Sequence, residues 1–280
     1  MPRKENRRPL PRRPGWRDIR DEFWEEIKGY IPKPKRRKKP GGRPAAEPRK
    51  ILNGIFYVLR TGCQWKMLPR EYYAGSTTHR YFQRWATQGV FRKMWAHCLR
   101  EYDELKGIAW RWQILDSHTV SAPEKGEKNR EKPTDRGKLG SKRHIIVDQN
   151  GVPLALVLSG ANVHDSKEHD RCWDSLVQRR PNPATLEQHA CEDKGYDFPA
   201  CRKKLAKKGY IVHIPYRGLG IDAKGRKRYP SRRWVVERTG RWVNLFRELK
   251  IRYCRKAINY EAFVQFANAV ICFRMARSWL

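Results

Sequence analysis

The hydrophobic pattern of the chain changes near residue 107, and this change constrains the possible folds more than any other feature of the sequence. Before it, apolar residues recur at helical spacing, as in the stripe of Ile51, Ile55 and Leu59. After it, apolar residues alternate with polar ones over short segments, which is the pattern of strands that bury one face. The sequence therefore predicts a helical part over residues 1–106 and a part built on a sheet over residues 107–280.

Two further helices are predicted in the first part. One is capped by Ser76 and places Arg80, Gln83 and Arg84 on its polar side, and the next has an apolar stripe that starts at Phe91. A helix, a turn and a second helix with a basic polar face are what a helix-turn-helix element needs to enter a DNA groove. We therefore expect a helix-turn-helix-like DNA-binding domain whose contacts include those three polar side chains, although ordinary surface helices also carry Arg and Gln.

The charge balance supports a polyanionic partner. Lys and Arg number 62 against 29 Asp and Glu, a formal net charge of +33, and self-repulsion of this size opposes a compact fold. Nucleic acid relieves it, since each neutralised phosphate releases condensed counterions. Residues 1–15 indicate a flexible basic arm, followed by a short predicted helix over 16–30. Residues 31–48 are basic and rich in Pro and Gly, which fits a loop lying on phosphates and a solvated linker equally well.

The seven cysteines are scattered and form no C-x-x-C pair, so neither a disulfide framework nor a structural zinc site is expected. No apolar run approaches the roughly 20 residues that a membrane helix needs. The basic start of the chain lacks the apolar segment of a signal peptide. We therefore expect reduced thiols, no membrane partner and a location where the DNA is.

The second part alternates between strand and helix patterns. A first strand, IAWRWQILD, ends at Asp116, and a hairpin over 142–158 turns at Gln149–Asn150–Gly151. The remaining segments are a helix over 165–178, a strand over 186–193, a helix over 197–208, a strand at YIVHIPY, a long helix from about residue 231 and a last helix over 259–277. This order matches a ribonuclease-H-like domain of the α/β (α+β) class, in which a mixed central sheet has helices on both faces.

Three carboxylates stand where such a fold brings distant segments together. Asp116 closes the first strand on its apolar face, Asp193 closes the fourth, and Glu237 lies on the polar face of the long helix. Each also has an ordinary explanation: a turn or capping Asp at the first two positions, and an exposed ladder of i,i+4 ion pairs at the third. A ribonuclease-H-like order favours a shared site, because it brings the first strand, the fourth strand and a late helix to one edge of the sheet.

Clustered carboxylate oxygens are the ligands that Mg²⁺ and Mn²⁺ prefer. Two such ions about 4 Å apart activate an attacking oxygen and stabilise the leaving oxygen of an in-line phosphoryl displacement. The three carboxylates therefore predict a site for two divalent ions, Mg²⁺ or Mn²⁺, that acts on phosphodiesters.

Six ordered motifs carry a resemblance to a known family. They are TGCQWKMLPREYYAGSTTHRYFQRW (61–85), LDSHTV (115–120), GKLGSKRHIIVD (137–148), SGANVHD (159–165), EDKGYD (192–197) and RRWVVERT (232–239). Over nearly its whole length the chain resembles bacterial insertion-sequence transposases of the DDE type, in the group typified by insertion sequence five. The resemblance implies that Asp116, Asp193 and Glu237 are catalytic and bind the metal ions, and that Arg233 belongs to the same signature.

The chain also departs from the family pattern. Related families often carry a Tyr three residues before that Arg and a Lys seven residues after the Glu. Here those positions hold Pro230 and Asn244, and Tyr229 lies one residue out of register. The auxiliary roles of those two positions are therefore not implied for this chain. His164 and Asp165 lie in a family motif and are interpreted as support for the site.

The resemblance implies a transposase that binds the terminal inverted repeats of its own insertion sequence, cleaves the DNA at the element ends and joins the freed 3′-hydroxyls to target DNA. Basic residues near the site are expected to hold the phosphates: Lys142, Arg143, Arg233 and Arg238. Pairing of two ends favours a homodimer or a larger assembly on double-stranded DNA, in the cytoplasm of a bacterium and associated with its nucleoid. Two other interpretations remain open: a DNA-binding regulator that kept the fold and lost catalysis, and a structure-specific nuclease that never joins.

Overall fold

The computed structural model describes residues 18–33, 45–133, 135–216 and 232–278. Within these ranges the helices are α1 (Asp21–Ile27), α2 (Pro48–Thr61), α3 (Gly75–Thr87), α4 (Val90–Lys106), α5 (Asp165–Asp174), α6 (Pro199–Lys207), α7 (Arg233–Asn244) and α8 (Ala257–Ala276). The strands are β1 (Trp112–Ser121), β2 (Arg130–Glu131), β3 (Leu139–Asp148), β4 (Pro153–Gly160), β5 (Gln188–Cys191) and β6 (Tyr210–His213). The basic arm predicted at 1–15 and most of the basic segment at 31–48 lie outside the described residues.

Local signals set the ends of the helices in the first part. The predicted stop of α2 is confirmed, because Gly62 has a left-handed backbone (φ 66°) and its N–H donates to the Val58 carbonyl. Ser76 was the wrong cap for α3, which begins one residue earlier at Gly75. Gly75 packs directly on the Trp65 carbonyl, where a Cβ would lie 1.8 Å from the oxygen, so this entry into the helix requires glycine.

The last helix, α8, lies at the centre of the hydrophobic core. It is apolar on all sides, as a helix surrounded by protein must be. Phe263 stacks on Phe82 of α3 with ring centroids 4.2 Å apart, and Phe273 contacts Phe23 of α1 at 4.9 Å. The segments 1–106 and 107–280 therefore share one core in the structure, and their division into separate domains stays a prediction.

The sheet has the ribonuclease-H-like order that the sequence predicts. The five longer strands lie in the order β4-β3-β1-β5-β6, and the two-residue strand β2 pairs with the start of β3. β1, β3 and β4 are antiparallel in turn, whereas β5 is parallel to β1 and β6 is parallel to β5. Helix α7 packs on β1 and β3, and α5 packs on β3 and β4 from the opposite face, so helices lie on both faces of a mixed sheet.

The first strand begins and ends later than predicted, and this changes the position of one carboxylate within it. β1 begins at Trp112 and continues to Ser121, so Asp116 lies inside the strand and not at its end. The cause is its antiparallel partner, because β3 pairs with β1 from Gln113 to Ser121 without interruption. Pairing, rather than the hydrophobic alternation of β1 itself, sets where the strand ends.

The helix predicted from about residue 231 begins at Arg233 and does not extend as far as Glu248. α7 ends at Asn244, and Glu248 is buried in a separate 3₁₀ turn (Arg247–Leu249), so it is not part of an exposed ladder. Helix α5 likewise stops at Asp174, four residues before its predicted end. Among the helices in the described ranges, none combines the length and apolar character needed to cross a bilayer.

Candidate active site

The strand register aligns the two predicted aspartates. β1 and β5 run in the same direction, with Ile114 opposite Cys191. Asp116 is two residues beyond Ile114, and Asp193 is two residues beyond Cys191, so both lie at the same level of the sheet. Because the carboxyl ends of parallel strands share an edge, this register brings the two side chains to one place.

The third carboxylate comes from α7, which lies against the same face of β1. His118 points to this face because it is two residues from Asp116. Gly240 of α7 packs on the His118 ring, and a Cβ at Gly240 would lie 2.5 Å from the Nε2 atom. The side chain of Thr239 fixes the helix further by donating to the Gly151 carbonyl at 2.7 Å. This close packing holds Glu237, about one helical turn earlier, above the aspartates.

Arg233 lies between all three carboxylates. Its guanidinium nitrogens are 3.6 Å from Asp116 Oδ2, 3.4 Å from Asp193 Oδ1 and 3.8 Å from Glu237 Oε1. These distances are within ion-pair range but longer than a good charged hydrogen bond. The arrangement confirms that Asp116, Asp193 and Glu237, called the triad below, converge from three separate elements around a positive charge.

The electrostatics of the triad reflect burial opposed by that charge. Burial raises the pKa of the Asp116 carboxyl above its usual range, and the nearby Asp193 charge adds to the rise. The Arg233 guanidinium and the Ser117 backbone N–H, which donates to Asp116 Oδ1 at 2.8 Å, act in the opposite direction. Asp116 is nearly buried, whereas Glu237 is about half exposed, so the site opens to solvent on the helix side.

A buried contact anchors the end of β5. Glu192, directly before Asp193, is fully buried and accepts a hydrogen bond from Trp173 Nε1 at 2.7 Å. Its Oε1 atom also lies 3.0 Å from His169 Nε2, so α5 supplies both neighbours. The sequence motif EDKGYD therefore combines one acid that fixes the strand and one that faces the site.

The other basic residues predicted near the site are in different environments. Lys142 is on the opposite face of the sheet, where it donates to Asp165 at 2.9 Å and to the Val163 carbonyl at 2.8 Å. Arg238 donates to the Asn150 carbonyl and stacks on two Trp rings of α7. Arg143 is almost completely buried and donates to Asn244 at 2.9 Å. Contact of these side chains with DNA stays a prediction.

The residues predicted to read DNA lie together on α3. Arg80 and Arg84 are exposed and Gln83 is half-buried, while Phe82 and Trp85 fill the core. Residues 62–74 separate α2 from α3, which is longer than the three or four residues of an ordinary helix-turn-helix turn. The polar face is thus present, and its role as a recognition surface stays a prediction.

Several motif residues gain a local explanation. His164 caps α5, accepting from the Ser166 backbone N–H at 3.3 Å, and Asp165 holds Lys142 in place. His118 was missed in the sequence, although its position two residues after Asp116 in an alternating strand was the available signal. Of the two positions that depart from the family pattern, Pro230 lies with Tyr229 outside the described residues, and Asn244 accepts the hydrogen bond from Arg143.

A ribonuclease-H-like sheet that gathers three carboxylates at the level where parallel strands end defines a class of enzymes that act on phosphodiesters. Two family models match the chain. One, described as "Transposase DDE domain", matches residues 111–269, and the other, described as "Putative transposase of IS4/5 family", matches residues 19–95. The first model covers more than half of the chain and includes the whole triad. The chain belongs to the DDE-domain transposases, a membership that implies dependence on a divalent metal.

The chain is also similar to individual proteins. The chain is 36% identical over 167 residues to "Putative transposase for insertion sequence element IS402" of Burkholderia cepacia, which covers 59% of this chain and 75% of that protein. It is 34% identical over 114 residues to "Insertion element IS402 uncharacterized 16.2 kDa protein" of the same species, covering 39% and 77%. A pre-cleavage Mos1 transpososome is a remote structural neighbour, with 12% identity, a TM-score of 0.26 and coverage of 86% of this chain and 82% of that chain.

Proposed function

We propose that this transposase binds the terminal inverted repeats of its own insertion sequence, cleaves the DNA at the element ends and joins the 3′-hydroxyl ends to target DNA. The observation that carries the proposal is the convergence of the triad around Arg233. An exposed ladder of ion pairs on α7 would explain Glu237 and Arg233 alone. It would not explain why both aspartates of the sheet lie within 3.6 Å of the same guanidinium.

The triad fits a divalent cation in its donor chemistry. All three side chains offer hard carboxylate oxygens, and the position of Arg233 supports the view that positive charge is stable among them. Asp116, Asp193 and Glu237 would hold two ions, Mg²⁺ or Mn²⁺. Bound there, such a pair supplies activation of the attacking oxygen and stabilisation of the leaving oxygen.

The proposed activity consists of two successive phosphoryl transfers. In the first, water attacks the phosphodiester at the element end, one P–O bond forms, another breaks, and a 3′-hydroxyl is released. In the second, that hydroxyl attacks a target phosphodiester, again exchanging one P–O bond for another. Arg233, which interacts with the triad through long and partly exposed contacts, is free to turn toward the phosphate when the carboxylates take other partners.

Recognition of the element ends is assigned to α3. Arg80 and Arg84 are exposed on one face of a helix that is fixed from behind by Phe82 and Trp85. Arg can bind a guanine edge through two hydrogen bonds, which discriminates between sequences, whereas a phosphate contact does not. Two ends must be paired for joining, so we also propose a homodimer or a larger assembly on DNA.

A strand-transfer assay with labelled element ends and Mg²⁺ tests the chemistry. We expect both cleaved ends and joined products from the full-length protein, and neither from Glu237→Gln, which keeps the size of the side chain. Cleavage without joining would identify a nuclease. Tight binding without either product would identify a DNA-binding regulator.

Arg84→Ala tests the assignment of α3. The full-length chain is required, because α8 completes the core on which α3 packs. We expect weaker binding to the element end and little change on random DNA, with Arg92→Ala on the exposed face of α4 as the matched control. Equal weakening on both DNAs would show that α3 contacts only phosphates.

A further inference from the structure

A cavity of about 520 Å³ lies beside the triad, on the face of the sheet that α7 covers. Its wall includes Ser117, His118, Thr119, Arg143, Asn244 and Lys250. The β1 residues follow Asp116 directly, and Asn244 is seven residues after Glu237, which is about 10 Å along the helix axis at 1.5 Å per residue. A DNA strand that has one phosphate at the triad can therefore reach the cavity with a neighbouring phosphate.

Arg143 is the unusual residue of this cavity. It is 2% exposed, its Nη2 atom donates to Asn244, and its buried Nε and Nη1 atoms have no hydrogen-bond partner in the part of the chain that the structure describes. A guanidinium cannot lose its proton to avoid this cost. Burial of a cation without an anion costs several kcal/mol, so a missing anionic partner is the direct physical explanation.

A second buried arginine shows what a structural role looks like. Arg252 is also fully buried, but each of its guanidinium nitrogens donates a hydrogen bond. The acceptors are the carbonyls of Cys254, Glu127 and Arg255 and the Ser141 hydroxyl. Arg252 therefore needs no further partner, whereas Arg143 retains donors for one.

The other groups around the cavity suit an anion. Lys250 is exposed and adds a second positive charge beside Arg143. Asp and Glu are absent from the described residues that line the cavity.

We propose that this cavity binds one backbone phosphate of the DNA strand that is processed at the triad. Arg143 and Lys250 would neutralise the phosphate and donate hydrogen bonds to its oxygens. The proposal rests on the proposed transposase function, and it names a second contact between the catalytic part and the DNA that is separate from the triad and from Arg233. The same chemistry would accept free phosphate, so the experiment must distinguish the two sources.

Binding of the element-end duplex is measured with the full-length protein in EDTA, so that no cleavage takes place. Arg143→Gln keeps an amide that can face Asn244 but removes the charge, and Arg171→Gln on the exposed surface of α5 is the matched control. We expect Arg143→Gln to weaken binding by about ten-fold or more, the usual effect of losing a charged hydrogen bond. The slope of log affinity against log salt should fall by about 0.9, which is the value for one phosphate.

Single methylphosphonates then locate the phosphate. At one position near the end, removal of the phosphate charge should weaken the wild-type protein and have no further effect on Arg143→Gln. Lys250→Gln should give the same pattern in weaker form, and it supports the test if Arg143→Gln does not fold, because Lys250 is exposed. Inorganic phosphate should compete with the DNA for the wild-type protein only.

Two results would overturn the proposal. One is an affinity and salt slope for Arg143→Gln and Lys250→Gln that equal those of Arg171→Gln. The other is protection of the wild-type fold by inorganic phosphate, lost in Arg143→Gln, with no methylphosphonate position that depends on Arg143. Neither result affects the triad, whose test is cleavage in Mg²⁺, so failure of the cavity and failure of the proposed function are separable.

Discussion

Two arginines in this protein lie among acidic residues, and they do so in different ways. Arg277, just after α8, contacts Glu26 and Glu101 and stacks on Phe273, while His97 lies 3.0 Å from Glu26. Arg233 contacts the triad only at 3.4 to 3.8 Å. The first cluster joins α1, α4 and α8, whereas the second gathers side chains at an open edge of the sheet.

The difference shows that compactness alone does not identify a metal site. The ligand atoms of Glu26, His97 and Glu101 lie within 4.8 Å of one another, a closeness that the three triad carboxylates do not share. Yet Arg277 is fixed among them by direct contacts and an aromatic ring. In the triad the contacts are longer and Arg233 is more exposed than Arg277, so the arginine there can be exchanged for another cation. We therefore interpret the Arg277 cluster as structural and the Arg233 cluster as functional.

The largest expected effect separates the two clusters by chemistry. Alanine at Asp116, Asp193 or Glu237 should reduce cleavage and joining by about a thousand-fold or more, because metal-held carboxylates stabilise the transition state. End binding should stay nearly intact, since DNA affinity comes from the basic residues. Glu101→Ala is the control and should leave the rate per folded molecule unchanged. A wild-type cleavage rate for Glu237→Ala would show that Glu237 belongs to an exposed ladder of ion pairs and not to the active site.

Substitution of Arg277 should mainly lower stability, whereas substitution of Arg233 should mainly lower the rate of catalysis. Arg277→Gln should lower the free energy of unfolding by about 2 kcal/mol, because it leaves partly buried carboxylates without their partner. Arg233→Gln should change stability by less than about 1 kcal/mol, since its ion pairs are long and partly exposed. Its cost should appear in catalysis, as a decrease of roughly ten- to a hundred-fold. Denaturant unfolding and single-turnover cleavage measure the two effects, and equal stability losses in both variants would contradict the comparison.

Glu248 sharpens the comparison as a buried carboxylate without an arginine. Burial raises its pKa to about 7, opposed only by a contact with the Cys254 thiol. Because this folded-state pKa lies above the usual value near 4.5, the associated stability is complete below about pH 4.5 and is lost as the pH rises through 7. Glu248→Gln should therefore gain about 2 kcal/mol relative to the wild type at pH 8, and no such gain at pH 4.5.

Chemical unfolding at the two pH values measures this effect. Glu104→Gln, at an exposed position of α4, is the matched control and should show no such dependence on pH. An equal gain for Glu248→Gln at both pH values would mean that folding does not raise the pKa of the Glu248 carboxyl.

The smallest expected effect is stabilisation by metal in the absence of DNA. At ten times its dissociation constant, Mn²⁺ should stabilise the protein by about 1.4 kcal/mol if it binds the folded state alone. Asp193→Asn should abolish the accompanying rise in Tm, and His97→Gln should retain it. The reverse pattern would identify the Glu26, His97 and Glu101 cluster as the metal site.

Local sequence patterns predicted most of the fold. The hairpin turn at Asn150–Gly151, the stop of α2 at Gly62 and the apolar stripe of α4 each depend on neighbours within a few residues. The order of these elements then led to the sheet and to the three carboxylates. Interactions between distant segments were harder to predict from the sequence. The end of β1 depends on its pairing with β3, which the alternation within β1 does not encode.

The same limit applies to the arginines of the site. Arg233 and Glu237 form an i,i+4 pair, and this spacing is identical in an exposed ladder and in a catalytic cluster. Arg143 and Arg252 both stand among polar and basic neighbours in sequence, yet one has all its donors satisfied and the other does not. That distinction depends on residues more than 100 positions away, Asn244 for Arg143 and Ser141 for Arg252, and it appears only in three dimensions.

The central position of α8 has a consequence for synthesis of the protein. The ribosome makes α8 about 150 residues after α4, and at about 5–20 residues per second the delay is roughly 8 to 30 seconds. During this time the aromatic faces of α3 and α4 lack the helix that covers them. A chain that stops before residue 257 would keep these faces uncovered, so premature termination should yield an aggregation-prone product and not a free DNA-binding fragment that competes for the element ends.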